Sequence, residues 1–312
     1  MKQDVLVSGL TVLRNAVALD YPFVESLRSA QPLCDEFVVV VGESDDETLE
    51  TVRALDLPNL RIVETEWSDK VRPSECLLAQ QTNIGLHLCR GTWCVYLQAN
   101  EVLHEDSLPP LLALMREHAA DERVEAMLVE RLSFWADYEH VLACYPERFK
   151  FTPRIVRPHI GTHSIRDAMS FAVFDDFSTR GRYPRSIDTG QYVYRYGHVR
   201  PLETLVQKYR DAVHMRNQDL ARPDDDFFVT HHPRTFVRRF TGSHPEVMRD
   251  RVARFPAQYD EESPSCRTRL TWKERRRALE TRWYQRFGMP RWRNKRYKLL
   301  GSYARKDRIG DL

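Results

Sequence analysis

The segment Phe37-Val38-Val39-Val40-Val41-Gly42-Glu43-Ser44-Asp45-Asp46-Glu47-Thr48 decides the fold class. Five consecutive apolar residues, four of them β-branched, leave no polar face, as expected of a strand covered on both sides in a parallel sheet. The glycine and the acidic, hydroxyl-rich run behind it stop the strand, turn the chain and cap a helix expected over Leu49–Leu55. The same alternation repeats on either side. Upstream, Val5–Leu13 reads as a strand, Arg14-Asn15 as its loop, and Tyr21-Pro22 opens a helix over Phe23–Ser29, proline fitting the first helical turn. Downstream come a strand at Leu60–Glu64, a helix at Leu77–Leu88, a strand at Trp93–Leu97 and a helix at Leu108–His118. Such alternation predicts a parallel sheet with helices on both faces, whose ligands lie beyond the carboxyl ends of the strands. The loops at Arg14-Asn15, Gly42–Asp46 and Gln98–Glu101 are therefore expected to converge on one crevice.

Past Leu108–His118 the pattern changes. Ala126–Leu132 reads as a strand, Phe134–Arg157 is aromatic and charged with little periodicity, and Ile155, Ile165 and Phe171–Phe174 suggest short strands of a mixed extension to the sheet. From Pro201 the composition turns helical, most clearly at Pro245–Ala253 and Trp272–Phe287. With 312 residues, 42% hydrophobic and 29% charged, the chain suits one large α/β unit or two fused halves and excludes disordered and collagen-like classes. Its longest apolar stretch, Phe37–Val41, is far below the roughly 18 residues of a membrane span, and the N-terminus lacks a secretory layout. The expected location is cytoplasmic, with peripheral contact at the inner face of the membrane as the variant. The six cysteines show neither a C-x-x-C pair nor zinc spacing and read as reduced, mostly buried thiols. Nucleophile-elbow, Walker, dinucleotide and zincin motifs are absent from the sequence.

A formal charge of +2 conceals an asymmetry: Ser263–Leu312 carries 16 Lys+Arg against 4 Asp+Glu, so the first 262 residues hold ten acids in excess. A basic tail of this kind touches something anionic. Within it, Trp272–Phe287 places Leu279, Trp283 and Phe287 at successive i, i+4 spacings with Arg275, Arg276, Arg277, Arg282 and Arg286 around them. The stripe suits two seats. One is an anionic membrane surface; the other, the expected one, is the acidic body of the chain itself. Nucleic acid is not an expected partner, since the segment matches no nucleic-acid motif.

Val12-Leu13-Arg14-Asn15 after the first strand, Val40–Thr48 after the second, Gln81-Thr82-Asn83-Ile84-Gly85-Leu86 on a helix, and Gly91-Thr92-Trp93-Cys94-Val95-Tyr96-Leu97-Gln98-Ala99-Asn100-Glu101 together resemble the family-two glycosyltransferases with the GT-A fold. Arg166–Phe171, Tyr196–Pro201 and Phe240–Pro245 are similar to blocks of a bacterial subgroup of about this length, so the resemblance spans nearly the whole chain. It implies an α/β GT-A fold, a Rossmann-like mixed sheet flanked by helices. Residues 1–104 would form a nucleotide-sugar-binding half, 105–230 an acceptor-binding and catalytic half of the same domain, and 231–312 a basic helical C-terminal region. The implied activity is inverting transfer of a sugar from a nucleotide-diphosphate sugar to a hydroxyl of a glycan or lipid-linked acceptor. The rival reading is a non-catalytic descendant of the fold that holds a nucleotide or glycan as a partner subunit.

By position in that resemblance, Arg14, Asn15, Glu43, Asp46, Gln81, Asn83, Gln98, Asn100 and Glu101 would line the nucleotide-sugar. Two departures stand out. The acids that end the second strand in the family are replaced by Val41 and Gly42, and the metal-binding Asp-x-Asp is replaced by Gln98-Ala99-Asn100. Mn²⁺ and Mg²⁺ favour charged oxygen ligands, so a divalent metal is expected to bind weakly or not at all, with Glu101 and His198 at most as ligands. Arg195 stands where the family places a metal-binding histidine. A guanidinium binds phosphate bidentately, so Arg195 or His198 is expected at the diphosphate, the alternative for both being a solvent-facing loop. Asp167 is the candidate base that takes the proton of the acceptor hydroxyl, against an ion pair with Arg166 or a helix cap; Asp137, Glu139 and Glu147 are its lesser rivals. Phe134, Trp135, Tyr138, Tyr145 and Phe149 divide between core packing and one or two rings open to an acceptor sugar.

Overall fold

The computed structural model describes residues 6–68, 76–147, 150–176, 180–216, 223–288 and 297–305. Strand β1 (Val7–Leu13), helix α1 (Phe23–Ala30), β2 (Glu36–Gly42), α2 (Thr48–Arg53), β3 (Leu60–Thr65), α3 (Leu77–Leu88) and β4 (Trp93–Tyr96) follow in the expected order. All seven residues of β2 are buried, which is why its sequence carries no polar face. It pairs in parallel with β1 and β3, and β1 pairs in parallel with β4, giving the order β3-β2-β1-β4.

The chain continues through β5 (Glu101–Leu103), α4 (Leu108–Glu117), β6 (Ala126–Trp135), β7 (His140–Leu142), β8 (Phe151–Val156), β9 (Thr162–Ile165), β10 (Ser170–Val173) and β11 (Arg185–His198). Then come α5 (Leu202–Arg216), α6 (Phe227–Thr230), β12 (Val237–Arg239), α7 (Arg249–Arg254), α8 (Trp272–Phe287) and β13 (Lys298–Ser302). Among the described residues the main sheet has eleven strands and is mixed: β8 lies antiparallel between β4 and β6, and β11 pairs in parallel with β6 and β13 and antiparallel with β5. The fold is thus α/β, a mixed sheet flanked by helices. No helix among the described residues is long and apolar enough to cross a membrane.

Four differences from the sequence reading have physical causes. Strand β6 runs to Trp135 rather than Leu132, every one of its residues being buried, and the segment read as irregular contains β7 and β8. Strands β9 and β10 form their own antiparallel hairpin instead of extending the main sheet. The anchor is Asn83 on α3: its amide accepts from the Ser164 N–H at 2.6 Å and donates to the Ser164 carbonyl at 3.1 Å. The helix read at Pro245–Ala253 divides into a 3₁₀ turn, Glu246–Met248, and α7. Finally, the aromatic cluster is core: Phe134, Trp135 and Tyr138 are at most 4% exposed, and Tyr145 is half-buried against Tyr284. Phe149 lies outside the described residues.

Helix α8 has the predicted bounds but the opposite seat. It buries Thr281 and Tyr284, and Leu279, Trp283 and Phe287 stay 58–66% exposed, so the expected docking of the apolar stripe on the body does not occur. The seat is polar: the Thr281 hydroxyl accepts the Tyr145 N–H at 2.9 Å, which satisfies a backbone donor that an apolar face would leave orphaned.

Candidate functional site

The loops beyond β1 and β2 are laced together. Asn15 takes φ 48°, a left-handed conformation that asparagine tolerates. In that pose its Oδ1 accepts from the Asp45 N–H at 2.9 Å and its own N–H reaches the Ser44 hydroxyl at 3.1 Å. Asp46 accepts from the Ala18 and Thr48 N–H groups at 2.7 and 3.0 Å; burial opposes its ionisation, but these bonds outweigh it and lower its pKa. Asp46 is therefore a loop fastener as well as a candidate contact. Arg14 donates to the Glu43 carbonyl at 3.0 Å and lies over the Trp67 ring, 5.1 Å from its centroid.

Trp67 explains the missing acid at the end of β2. A Cβ on Gly42 would sit 2.2 Å from Trp67 Nε1, so the indole occupies the space that a side chain there would need. The buried indole N–H has no partner among the described residues. Gln81 is 2% exposed and accepts from the Thr65 hydroxyl at 2.6 Å, tying α3 to the end of β3. Gln81 and Asn83 are thus both engaged in bonds within the protein.

Asp167 lies half-buried in the turn of the β9–β10 hairpin, between Arg166 at φ 59° and Ala168 at φ 50°. Two non-glycine residues in the left-handed region on either side of one residue are uncommon, and such strain persists only where surrounding packing dictates it. That packing is visible: Ala168 and Phe171 share a core cluster with Tyr96, and the Phe171 ring meets Tyr96 edge-on at 5.6 Å. Tyr96 ends β4, two residues before Gln98, so the turn carrying Asp167 is packed against the strand that delivers the Gln98–Glu101 loop.

That loop closes on itself, with the Gln98 N–H donating to the Glu101 carboxylate at 3.1 Å and the Glu101 N–H to the Gln98 carbonyl at 2.9 Å. Glu101 is fully buried and grips Arg154 at 2.7 and 2.8 Å. Asn100 accepts the Tyr196 N–H at its carbonyl, while its buried side-chain Oδ1 has no partner among the described residues. Antiparallel pairing of β11 with β5 sets Arg195 opposite Glu101 and so beside this loop. The contact is close. A Cβ on Gly197 would fall 3.0 Å from both Asn100 Nδ2 and Arg195 Cζ, so the two side chains flank the same glycine.

Further cations gather round Arg195. Arg131 on β6 bonds Glu147 at 2.5 Å, and Lys150 stands 3.7 Å from the same carboxylate. Lys208 on α5 donates to the Gly197 carbonyl at 2.8 Å. Burial and then the Arg131 charge lower Arg195 to about 10, with Glu147 and Glu101 opposing. Lys150 falls to about 8 through burial and then Arg131, Glu147 being its main support. Burial, Arg200 and Arg195 push Lys208 well below the usual lysine range. Glu147 is held near 2: burial opposes, but Arg131, Lys150 and Arg195 outweigh it. His198, 4.8 Å from the Trp135 ring, is kept neutral by burial and by Lys208, Arg195 and Arg200. Buried N–H groups of Arg131 and Arg195, at Nε, have no partner among the described residues. Cations here outnumber their acids and leave donors over, a composition that suits an anion.

The same geometry is a poor divalent-metal site. Glu101 is committed to Arg154, His198 sits among cations, and the remaining oxygens at the strand end are the amides of Gln98 and Asn100. Among the described residues no group of three His, Cys, Asp or Glu is arranged to hold an ion. Of the rivals to Asp167, Asp137 is bound by His140 and by the N–H groups of Glu139, Gln258 and Tyr259, and Glu139 pairs with Arg239. Glu147 belongs to the cation cluster. Sequence reading passed over Trp67, Arg131, Lys150, Arg154 and Lys208. A signal existed for Arg131 and Arg154, each a charge inside a largely apolar, buried strand.

No family model matches the chain, and no curated protein is similar to it. Among solved structures it is similar to S. aureus TarS residues 1–349, at 16% identity and TM-score 0.39, over 69% of this chain and 67% of that one. The complex of that protein with UDP gives 18% identity and TM-score 0.42 over the same shares, and the complex with UDP-GlcNAc 18% and 0.36 over 50% of this chain and 46% of that one. Similarity at this level assigns this chain neither a substrate nor a reaction.

Proposed function

We propose that the chain is a GT-A-type glycosyltransferase, family-two-like, that moves a sugar from a nucleotide-diphosphate donor to a hydroxyl of a glycan or lipid-linked acceptor, in glycan or glycoconjugate biosynthesis on the cytoplasmic side. One observation carries the reading: Arg195 stands beside Asn100 at the end of the β4–β5 loop, inside a half-buried group of cations in which the Nε donors of Arg195 and Arg131 are unused among the described residues. Departure of a diphosphate concentrates negative charge on its oxygens, and fixed cations in a water-poor site stabilise that charge without reorganising. Arg195, Arg131 and protonated Lys150 supply it, in place of Mn²⁺ or Mg²⁺. The Arg14–Trp67 shelf, with the Glu43–Asp46 loop beside it, takes the base and ribose. Asp167 accepts the proton of the acceptor hydroxyl as its oxygen bonds the anomeric carbon and the bond to the diphosphate breaks, which inverts that carbon.

Asp167→Asn is expected to lower kcat by roughly 10²–10⁴-fold while thermal-shift titration still finds the donor bound. Wild-type transfer of labelled sugar should persist in EDTA. Loss in EDTA with recovery on Mn²⁺ would overturn the cation assignment. Donor binding with no turnover of the wild-type chain across many acceptors would favour the partner-subunit reading, which the amides at Gln98 and Asn100 keep in view.

Lys150 makes the site sensitive to pH. It attracts the diphosphate only while protonated, so affinity for nucleoside diphosphates should fall as pH rises through about 8. The phosphate stays ionised over that range, its last pKa being about 6. Calorimetry across pH should show the fall, and Lys150→Arg should flatten it.

A further inference from the structure

Helix α8 seats Thr281 and Tyr284 and turns a large apolar face outward: Trp272 is 72% exposed, Leu279 66%, Trp283 58% and Phe287 63%. These four recur at helical spacing on one side. The Trp283 and Phe287 rings lie 4.5 Å apart, so the face is continuous at its C-terminal end. Exposed Arg275, Arg282 and Arg286 fall at i, i+7 and i+11 and form a row along one edge, and exposed Arg276 interrupts the stripe, over the Trp272 ring at 5.8 Å. The helix carries only two acids, Glu274 and Glu280, and both are engaged, by Arg267 at 2.8 Å and by Arg276 at 3.7 Å.

We propose that this face lies on an anionic lipid surface, with Trp272, Leu279, Trp283 and Phe287 entering the headgroup–acyl boundary and the arginines bordering them on anionic headgroups. The composition is that of an interfacial helix: large apolar residues flanked by basic ones on a non-spanning segment. Charge decides the occupant. A second copy related by a two-fold axis would set the arginine row against itself, and an uncharged apolar partner would leave it unmatched; an anionic bilayer satisfies both halves of the face. The inference is independent of the catalytic reading, since no residue of α8 belongs to the crevice.

The test is co-sedimentation of the full chain with phosphatidylcholine vesicles, with and without phosphatidylglycerol, at low and high salt. Binding should require the anionic lipid and fall at least about tenfold in high salt, because headgroup attraction is screened within a Debye length. Leu279→Ser with Trp283→Ser, and separately Arg275→Gln with Arg282→Gln and Arg286→Gln, should each abolish it. All five side chains are exposed, so far-UV circular dichroism and donor binding should stay unchanged. No vesicle binding by the wild type, or binding that survives the serine substitutions, would overturn the proposal. So would a dimer, or RNA binding, that is lost in those variants while vesicles bind neither form.

Discussion

Arg195→Met should lower kcat/KM by roughly 10²–10³-fold, the loss typical of removing one preorganised donor from a site of developing charge. The same substitution should leave the melting temperature unchanged or raise it. The reason is the crowding described above: the guanidinium is depressed by burial and by Arg131, with Glu147 and Glu101 only partly compensating, so removing it relieves repulsion in the unliganded protein. A residue kept for the fold would show the reverse pattern, and a drop in melting temperature parallel to the loss of activity would refute the assignment. Arg195→Lys retains the charge but not the planar fork, and should recover part of kcat without restoring KM for the donor. Steady-state kinetics and a thermal scan on these two variants decide the matter.

The second large effect falls on stability. Glu101→Gln should cost about 3–5 kcal/mol, because it leaves the Arg154 guanidinium buried without its counter-charge. Side-chain exposures of 0% for Glu101 and 3% for Arg154 leave no route for water to compensate. Urea denaturation should show the midpoint fall, and Glu101→Gln combined with Arg154→Met should recover most of it, since the stranded charge is then gone. A double variant no better than the single one would mean that the carboxylate acts chiefly through the Gln98 backbone bond that it also accepts.

Local sequence was legible where one element's burial decides the outcome. The apolar run of β2 and the twelve residues of α3 have the expected character because each is dictated by its own pattern of contact with the sheet. Arg195 could be set beside Asn100 only because a resemblance supplied the register of distant strands. Arg131, Lys150 and Lys208 reach the same place from β6, the segment before β8 and α5, and no local pattern encodes that convergence. The hairpin of β9 and β10 was misplaced for a similar reason: its attachment rests on Asn83 from α3 and on packing of Phe171 against Tyr96, contacts between distant segments. Likewise, periodicity found the apolar stripe of α8 but not its direction, which follows from the burial of Thr281 and Tyr284 against the Cys144-Tyr145 segment.

Strand β13 bears on how this protein can be handled. It adds to the outer side of β11, pairing Lys298 with Arg185 and Ser302 with Asp188, and Arg305 beyond it bonds both Glu130 and Asp188. The basic C-terminal region is therefore stitched into the same sheet that carries Arg195, and it is not a detachable appendage. A version trimmed to its first 288 residues would uncover a raw edge of β11, open to intermolecular strand pairing, and would remove the Arg305 guanidinium from Glu130 and Asp188. Expression boundaries and fusion tags are best chosen to keep residues 297–305.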